Sequence, residues 1–338
     1  MPVRSITSKV LVGVTVLVGI SVLGAAPASA DPAGPSDFRS HVTGVVPGTE
    51  GVHAEIRGGD TFLELTVDRG HEVIVKGYSG EPYLRFREDG TVQRNQHSPA
   101  TYLNNDRKGK GTVPAEAQDP TAEPVWTDVA SGGHYAWHDH RVHWMADTSP
   151  PVARGQQVTG AYDPWRVPIV VDGKDVEIHG TLLYERAMSP LPWALVALVA
   201  AGLVGWFGRR AALRTAGAAL LVVGVGAVIV GRADYSATPD GGGNPLLWAL
   251  PAVAAVAAIV ALARSGKGTA VVAVLASVAT LSSWALLRFT VLTKPVLPTD
   301  LPPGLDRGST AAALGVAVAA AYLAVTSGGL RLSELPDD

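Results

Sequence analysis

After Pro190 the chain runs in long blocks of Ala, Val, Leu and Gly that carry almost no charge. Five blocks can be separated: Pro192–Phe207, Ala212–Val230, Leu246–Leu262, Thr269–Leu287 and Ser309–Val325. Each approaches the ~17–25 residues that a helix needs to cross a bilayer. That pattern excludes a single soluble globule and predicts a bundle of five transmembrane helices over 190–326. Arg209, Arg210, Arg214, Arg264 and Lys267 then share one side with Arg331 in a tail at 327–338. Arg232, Arg288, Lys294 and Arg307 fall in loops on the other side. The bias is modest and favours a cytoplasmic C-terminus. Trp193, Trp206, Trp248 and Trp284 stand near span ends, where amphipathic rings prefer to sit. No Asp, Glu, Lys or His falls in the middle of a block, which argues against an ion pump or proton-coupled transporter. Small residues such as Gly224, Ala254, Ala258, Gly315 and Ala319 suit close helix packing.

The first thirty residues read as a secretory signal. Arg4 and Lys9 form a basic start, Val10–Gly24 is apolar but short for a span, and Ala28-Ser29-Ala30 offers a cleavage site. Residues 31–189 are therefore expected outside the cytoplasm, on a multi-pass protein of the cell membrane. This stretch differs in kind from the rest. It holds 15 Lys and Arg against 23 Asp and Glu, and all 9 histidines of the chain. An acidic domain is a poor match for phosphate backbones, so nucleic acid is not an expected partner. The absence of cysteine removes disulfides, thiolate metal sites and a cysteine nucleophile.

The same stretch has the punctuation of short strands. Phe62–Val67, His71–Tyr78 with its β-branched Val73-Ile74-Val75, and Tyr83–Arg87 are β-like runs, with Asp89-Gly90 as a turn into Thr91–Gln93. Trp165–Val171 and Asp175–Tyr184 flank Asp172-Gly173, the strongest hairpin signal in the chain. The expected fold is an all-β sandwich-like extracytoplasmic domain followed by the helical bundle. Residues 104–133 are expected to be a long irregular connection.

One segment concentrates chemistry. His134, His138, His140, His143 and Met145 fall within twelve residues, together with Asp139, Trp137 and Trp144. Neutral imidazole and thioether are ligands for copper, and imidazole with carboxylate suits zinc. On a strand, His134, His138 and His140 would share one face while His143 and Met145 took the other, which splits the set. The competing reading has the tryptophans and Met145 in the core, with His138, Asp139, His140 and Arg141 making polar contacts in a buried loop. Catalytic signals are weak. Gly77-Tyr78-Ser79-Gly80-Glu81 lacks the last glycine of a nucleophile elbow, and Ser98 stands in no recognisable motif. No enzyme activity is expected.

The runs Gly80–Arg85, Ser98–Asn104, Trp137–Met145 and Trp165–Pro168 with Gly180–Tyr184 resemble a family of actinobacterial exported conserved membrane proteins. The resemblance covers the β-rich part and the first span, and it implies an envelope protein without implying a reaction. The expected role is a binding or scaffolding module of the cell envelope that meets the lipid bilayer and a membrane or envelope protein partner. Extracytoplasmic copper binding through the histidine segment is the alternative, and an envelope enzyme a weaker one.

Overall fold

The computed structural model describes residues 32–239 and 243–328. The expected signal segment at 1–30 and the tail beyond 328 lie outside the described residues.

Among the described residues eleven strands form two antiparallel sheets. The larger has the order β1 (Phe38–Val46), β11 (Lys174–Tyr184), β10 (Trp165–Val171), β4 (Val73–Lys76), β5 (Pro82–Phe86), β6 (Val92–Asn95) and β7 (Trp126–Ala130). A two-residue strand, β9 (Gln156–Gln157), also pairs with β11. The smaller sheet has the order β2 (Val52–Arg57), β3 (Phe62–Val67) and β8 (His134–Trp137). Local chemistry explains the central hairpin. Asp172 and Gly173 both take positive φ, 48° and 76°, the turn whose twist matches its flanking strands. β11 then alternates buried and half-buried residues along its length, the period of a strand with one face on a core.

One apolar core joins the two sheets: Leu63 and Leu65 from the smaller meet Val75, Leu84, Phe86, Ile169 and Ile178 from the larger. Trp165 is fully buried and donates its indole N–H to Ser40 Oγ at 2.9 Å. Gly180 makes room for it, since a Cβ there would lie 2.1 Å from the indole. Beyond the histidine segment, four strands were not legible beforehand: β1, β2, β9 and β7. The last runs through the stretch expected to be irregular, because a five-residue edge strand such as Trp126–Ala130 shows no sustained alternation.

Among the described residues four helices, not the five expected, are long and apolar enough to cross a membrane. They are α1 (Leu191–Ser236), α2 (Leu246–Ala263), α3 (Lys267–Leu287) and α4 (Pro303–Gly328). The difference has one cause: both of the first two expected spans lie within the 46 residues of α1. Helical dihedrals fail in it only at Ala211 (φ −149°, ψ 63°). The two halves of α1 meet different neighbours. Ala197 and Gly208 lie against Gly315 and Leu323 of α4, whereas Gly217, Gly224 and Gly231 lie against Leu262, Ala255 and Leu247 of α2. Thr215 Oγ1 reaches back to donate to the carbonyl of Phe207 at 3.3 Å.

The helices present Leu, Val, Ile and Phe outward and bury Ala, Gly and Val, the reverse of a soluble bundle and suited to lipid. Trp284 departs from the expected interfacial ring. It is fully buried, and its N–H donates to the Leu247 carbonyl at 2.6 Å.

The β domain is docked on the bundle. Ser36 and Val296 form an antiparallel bridge. Asp37 pairs with Lys294, and the Ala33 N–H donates to Thr238 Oγ1 at 3.2 Å.

Candidate functional site

The histidine segment begins as strand and leaves it early. β8 pairs with β3 from His134↔Thr66 to Trp137↔Leu63 and stops there. Asp139 is the reason. Its carboxylate is fully buried and accepts from the Arg141 main-chain N–H at 3.1 Å, from both Nε and Nη2 of Arg141, and from Trp137 Nε1. An aspartate that captures the N–H two residues on closes a turn and ends a strand. The face-sharing expected from period two therefore applies only as far as Trp137.

The five candidate ligands separate accordingly. His134 remains on the exposed sheet edge, where Nε2 meets Glu64 at 3.0 Å. His138, His140 and His143 come together in the loop region, each with one ring nitrogen on a main-chain carbonyl. His138 Nδ1 bonds to Thr61 O at 2.9 Å, His140 Nε2 to Asp106 O at 3.0 Å, and His143 Nε2 to Arg107 O at 2.8 Å. His138 also stacks on Phe62 and His140 on Tyr78. His140 and His143 meet edge to face with centroids 5.6 Å apart. Met145 is half-buried, and its carbonyl accepts from Lys108 Nζ. Among the described residues no group of three or more His, Asp or Glu side chains is placed to hold a metal ion.

Burial sets the electrostatics here. His143 is fully buried, its Nδ1 has no partner, and desolvation with the Arg107 charge beside it pushes its pKa down to about 3. It is a neutral imidazole. Burial opposes the Asp139 charge, but Arg141 and Trp137 outweigh it and hold the carboxyl below its usual range. Tyr78 is raised well above an ordinary phenol, chiefly by burial. Its hydroxyl donates to Asn104 and accepts from the His140 main-chain N–H at 2.9 Å. Asp60, also fully buried, pairs with Arg107, and burial lifts its carboxyl above the ordinary value. Ser98 is fully buried and donates to Glu81 at 2.7 Å, so its hydroxyl serves the scaffold and is closed to a substrate.

Two members of the segment open onto a groove. His140 and Arg141, with Ala161, Tyr162, Pro164 and Arg166, line a groove of about 470 Å³. Arg141 is positioned by Asp139, by the Lys76 carbonyl at 3.1 Å and by the face of Tyr78. The arrangement offers guanidinium and imidazole groups beside an aromatic ring, with His140 and Arg141 fixed from behind.

A second charged cluster lies at the end of the bundle nearest the β domain. Arg288 is 3% exposed, sits over Trp284 and pairs with both Asp234 and Asp306. Arg307, also buried, donates to the carbonyls of Val291, Lys294 and Pro295. From the sequence alone, Arg288 and Arg307 fall in loops on one side of the bundle. The signal was only their position at helix ends, which for Arg288 brings aspartates of two other helices within reach. No family model, no curated protein and no solved structure matches the chain.

Proposed function

We propose that the chain is an exported, multi-pass membrane protein whose β domain is a binding or scaffolding module of the cell envelope. The observation that carries this reading is the groove at His140, Arg141, Tyr162 and Arg166, backed by a fully buried polar network. Burying Asp139, Asp60, His138 and His143 costs stability, and such a cost is met where side chains must be held for recognition. The hydroxyl–carboxylate pair Ser98–Glu81 is buried away from the groove, and the groove itself offers cationic and aromatic side chains, which favours recognition. The partner is a protein of the membrane or envelope, met at a fixed height above the bilayer because the domain is bridged to the bundle at Ser36 and Val296.

In this reading the bundle crosses the bilayer five times. A straight helix of 46 residues would measure about 69 Å, more than twice the ~30 Å hydrocarbon layer. The break at Ala211 and the different neighbours of the two halves support a fold-back there. Arg209, Arg210, Arg214, Arg264 and Lys267 then gather at the end away from the β domain, which supports an external β domain and a cytoplasmic C-terminus.

A photo-crosslinking residue at Tyr162 of the full chain, activated in native membranes, tests the recognition role. A discrete adduct that disappears with Arg166→Glu is expected. Failure to form an adduct at Tyr162, or one unchanged by Arg166→Glu, overturns it.

A further inference from the structure

A cleft of about 220 Å³ opens where the β domain meets the bundle. Its β-domain wall carries Arg39, His41, Glu55 and Arg57, and its bundle wall carries Thr299 and Asp300. The bundle wall is made of segments that flank helix ends: Ala237 follows α1, and Leu297–Asp300 precede α4. With those helices in a bilayer, the cleft lies at headgroup height.

Its chemistry is of two signs. Arg39 uses Nε for Glu185 at 2.8 Å, and Arg57 makes only long contacts, 3.5 Å to Glu55 and 3.7 Å to Glu64. Both guanidinium groups keep donors to spare. Asp300 stands exposed on the opposite wall. At ~30 Å³ per water the space equals roughly seven waters, enough for a phosphate with a short amine. Guanidinium forks match phosphate oxygens, and a carboxylate across the cleft matches an ammonium.

We infer that this cleft is a phospholipid site for a zwitterionic phosphoethanolamine headgroup, with phosphate on Arg39 and Arg57 and ammonium on Asp300. The acyl chains then lie along the outward apolar faces of the helices. The inference rests on the bundle being in a bilayer and not on the groove or its protein partner.

The test is native mass spectrometry of the full chain in detergent, offered phosphatidylethanolamine, phosphatidylglycerol or phosphatidylcholine. Phosphatidylethanolamine should be retained about tenfold over the other two, the difference one or two charge-assisted contacts make. Arg39→Gln with Arg57→Gln should abolish that retention, and Asp300→Asn should remove the preference over phosphatidylglycerol. Arg39→Lys with Arg57→Lys keeps the charges and should keep most of the binding, which guards against a folding defect. Equal retention of the three lipids by the unaltered chain overturns the inference. So does wild-type retention by the double Gln variant, or full competition by soluble phosphoethanolamine at equal concentration.

Discussion

Ser36 and Val296 exchange both main-chain hydrogen bonds, 2.9 Å one way and 3.1 Å the other, and so join the first residues of the β domain to the loop before the last helix. The loop is itself held from below by Arg307, which donates to the carbonyls of Val291, Lys294 and Pro295. The β2–β3 turn presses on the same point. A Cβ on Gly59, whose φ is +82°, would stand 2.4 Å from Val296 Cγ1. The joint is therefore built on main chain and glycine, and it tolerates little.

Gly59→Val should loosen this joint first. The positive φ and the overlap with Val296 together cost about 1–3 kcal/mol or more. Hydrogen exchange on the full chain should speed up at Ser36 and Val296 while β10 and β11 keep their protection. Unchanged exchange at both positions would show that the bridge does not depend on the close approach.

Asp139 and Arg141 form a buried pair, and removing one charge strands the other. Asp139→Asn should cost about 3–5 kcal/mol of β-domain stability, and Asp139→Asn with Arg141→Met distinctly less than the two single changes added. Denaturant melts of the four chains form the cycle. Strict additivity would mean that the pair is solvated.

His143 should make the β domain acid-sensitive. Its pKa is depressed to about 3 in the fold against about 6.5 when unfolded, so the folded state refuses a proton that the unfolded chain accepts. Stability from this group is complete above pH 6.5. It falls as pH drops below 6.5, by up to ~1.4 kcal/mol per unit, and levels off near 3. His71 acts elsewhere: its bond to Asp172 raises its pKa, so its contribution is lost as pH rises above 6.5. Between pH 4.5 and 6.5, His143→Gln should flatten the stability profile. A slope identical to that of the unaltered chain would assign the effect to other groups.

The histidines are expected to act through the fold and not through copper. His138→Gln with His140→Gln removes two imidazole–carbonyl bonds and should lower stability by about 1–3 kcal/mol per buried partner left unpaired. Copper added to the unaltered chain at neutral pH should leave the melting temperature where it was. A stoichiometric rise that the double variant loses would reverse this assignment and revive the metal site.

Because the chain has no cysteine, single introduced cysteines report topology cleanly. Arg210→Cys and Gly266→Cys should react with an impermeant reagent from one side of sealed vesicles, and Ser236→Cys and Thr293→Cys from the other. Labelling of Arg210→Cys and Ser236→Cys from the same side would exclude a fold-back at Ala211.

The parts of this protein that were legible in the sequence are those decided within a few residues. Charge-free blocks of Ala, Val and Leu mark helices for a bilayer wherever they occur, because the cost of a polar group in hydrocarbon is paid locally. Asp172-Gly173 makes its hairpin because both residues accept positive φ. Other features depended on groups far apart in the chain. β8 ends at Trp137, where Asp139 turns back on Arg141 and the indole N–H of Trp137 donates to the same buried carboxylate. Three histidines of one segment each bond to a different carbonyl, of Thr61, Asp106 and Arg107, partners no spacing rule supplies. Arg288 reads as a loop cation until α1 and α4 bring Asp234 and Asp306 to it. Hydropathy and turn chemistry determined which segments are helix and which are hairpin. Tertiary packing alone decided which polar groups are buried and what each one faces, because desolvation and charge pairing depend on neighbours that only the folded chain assembles.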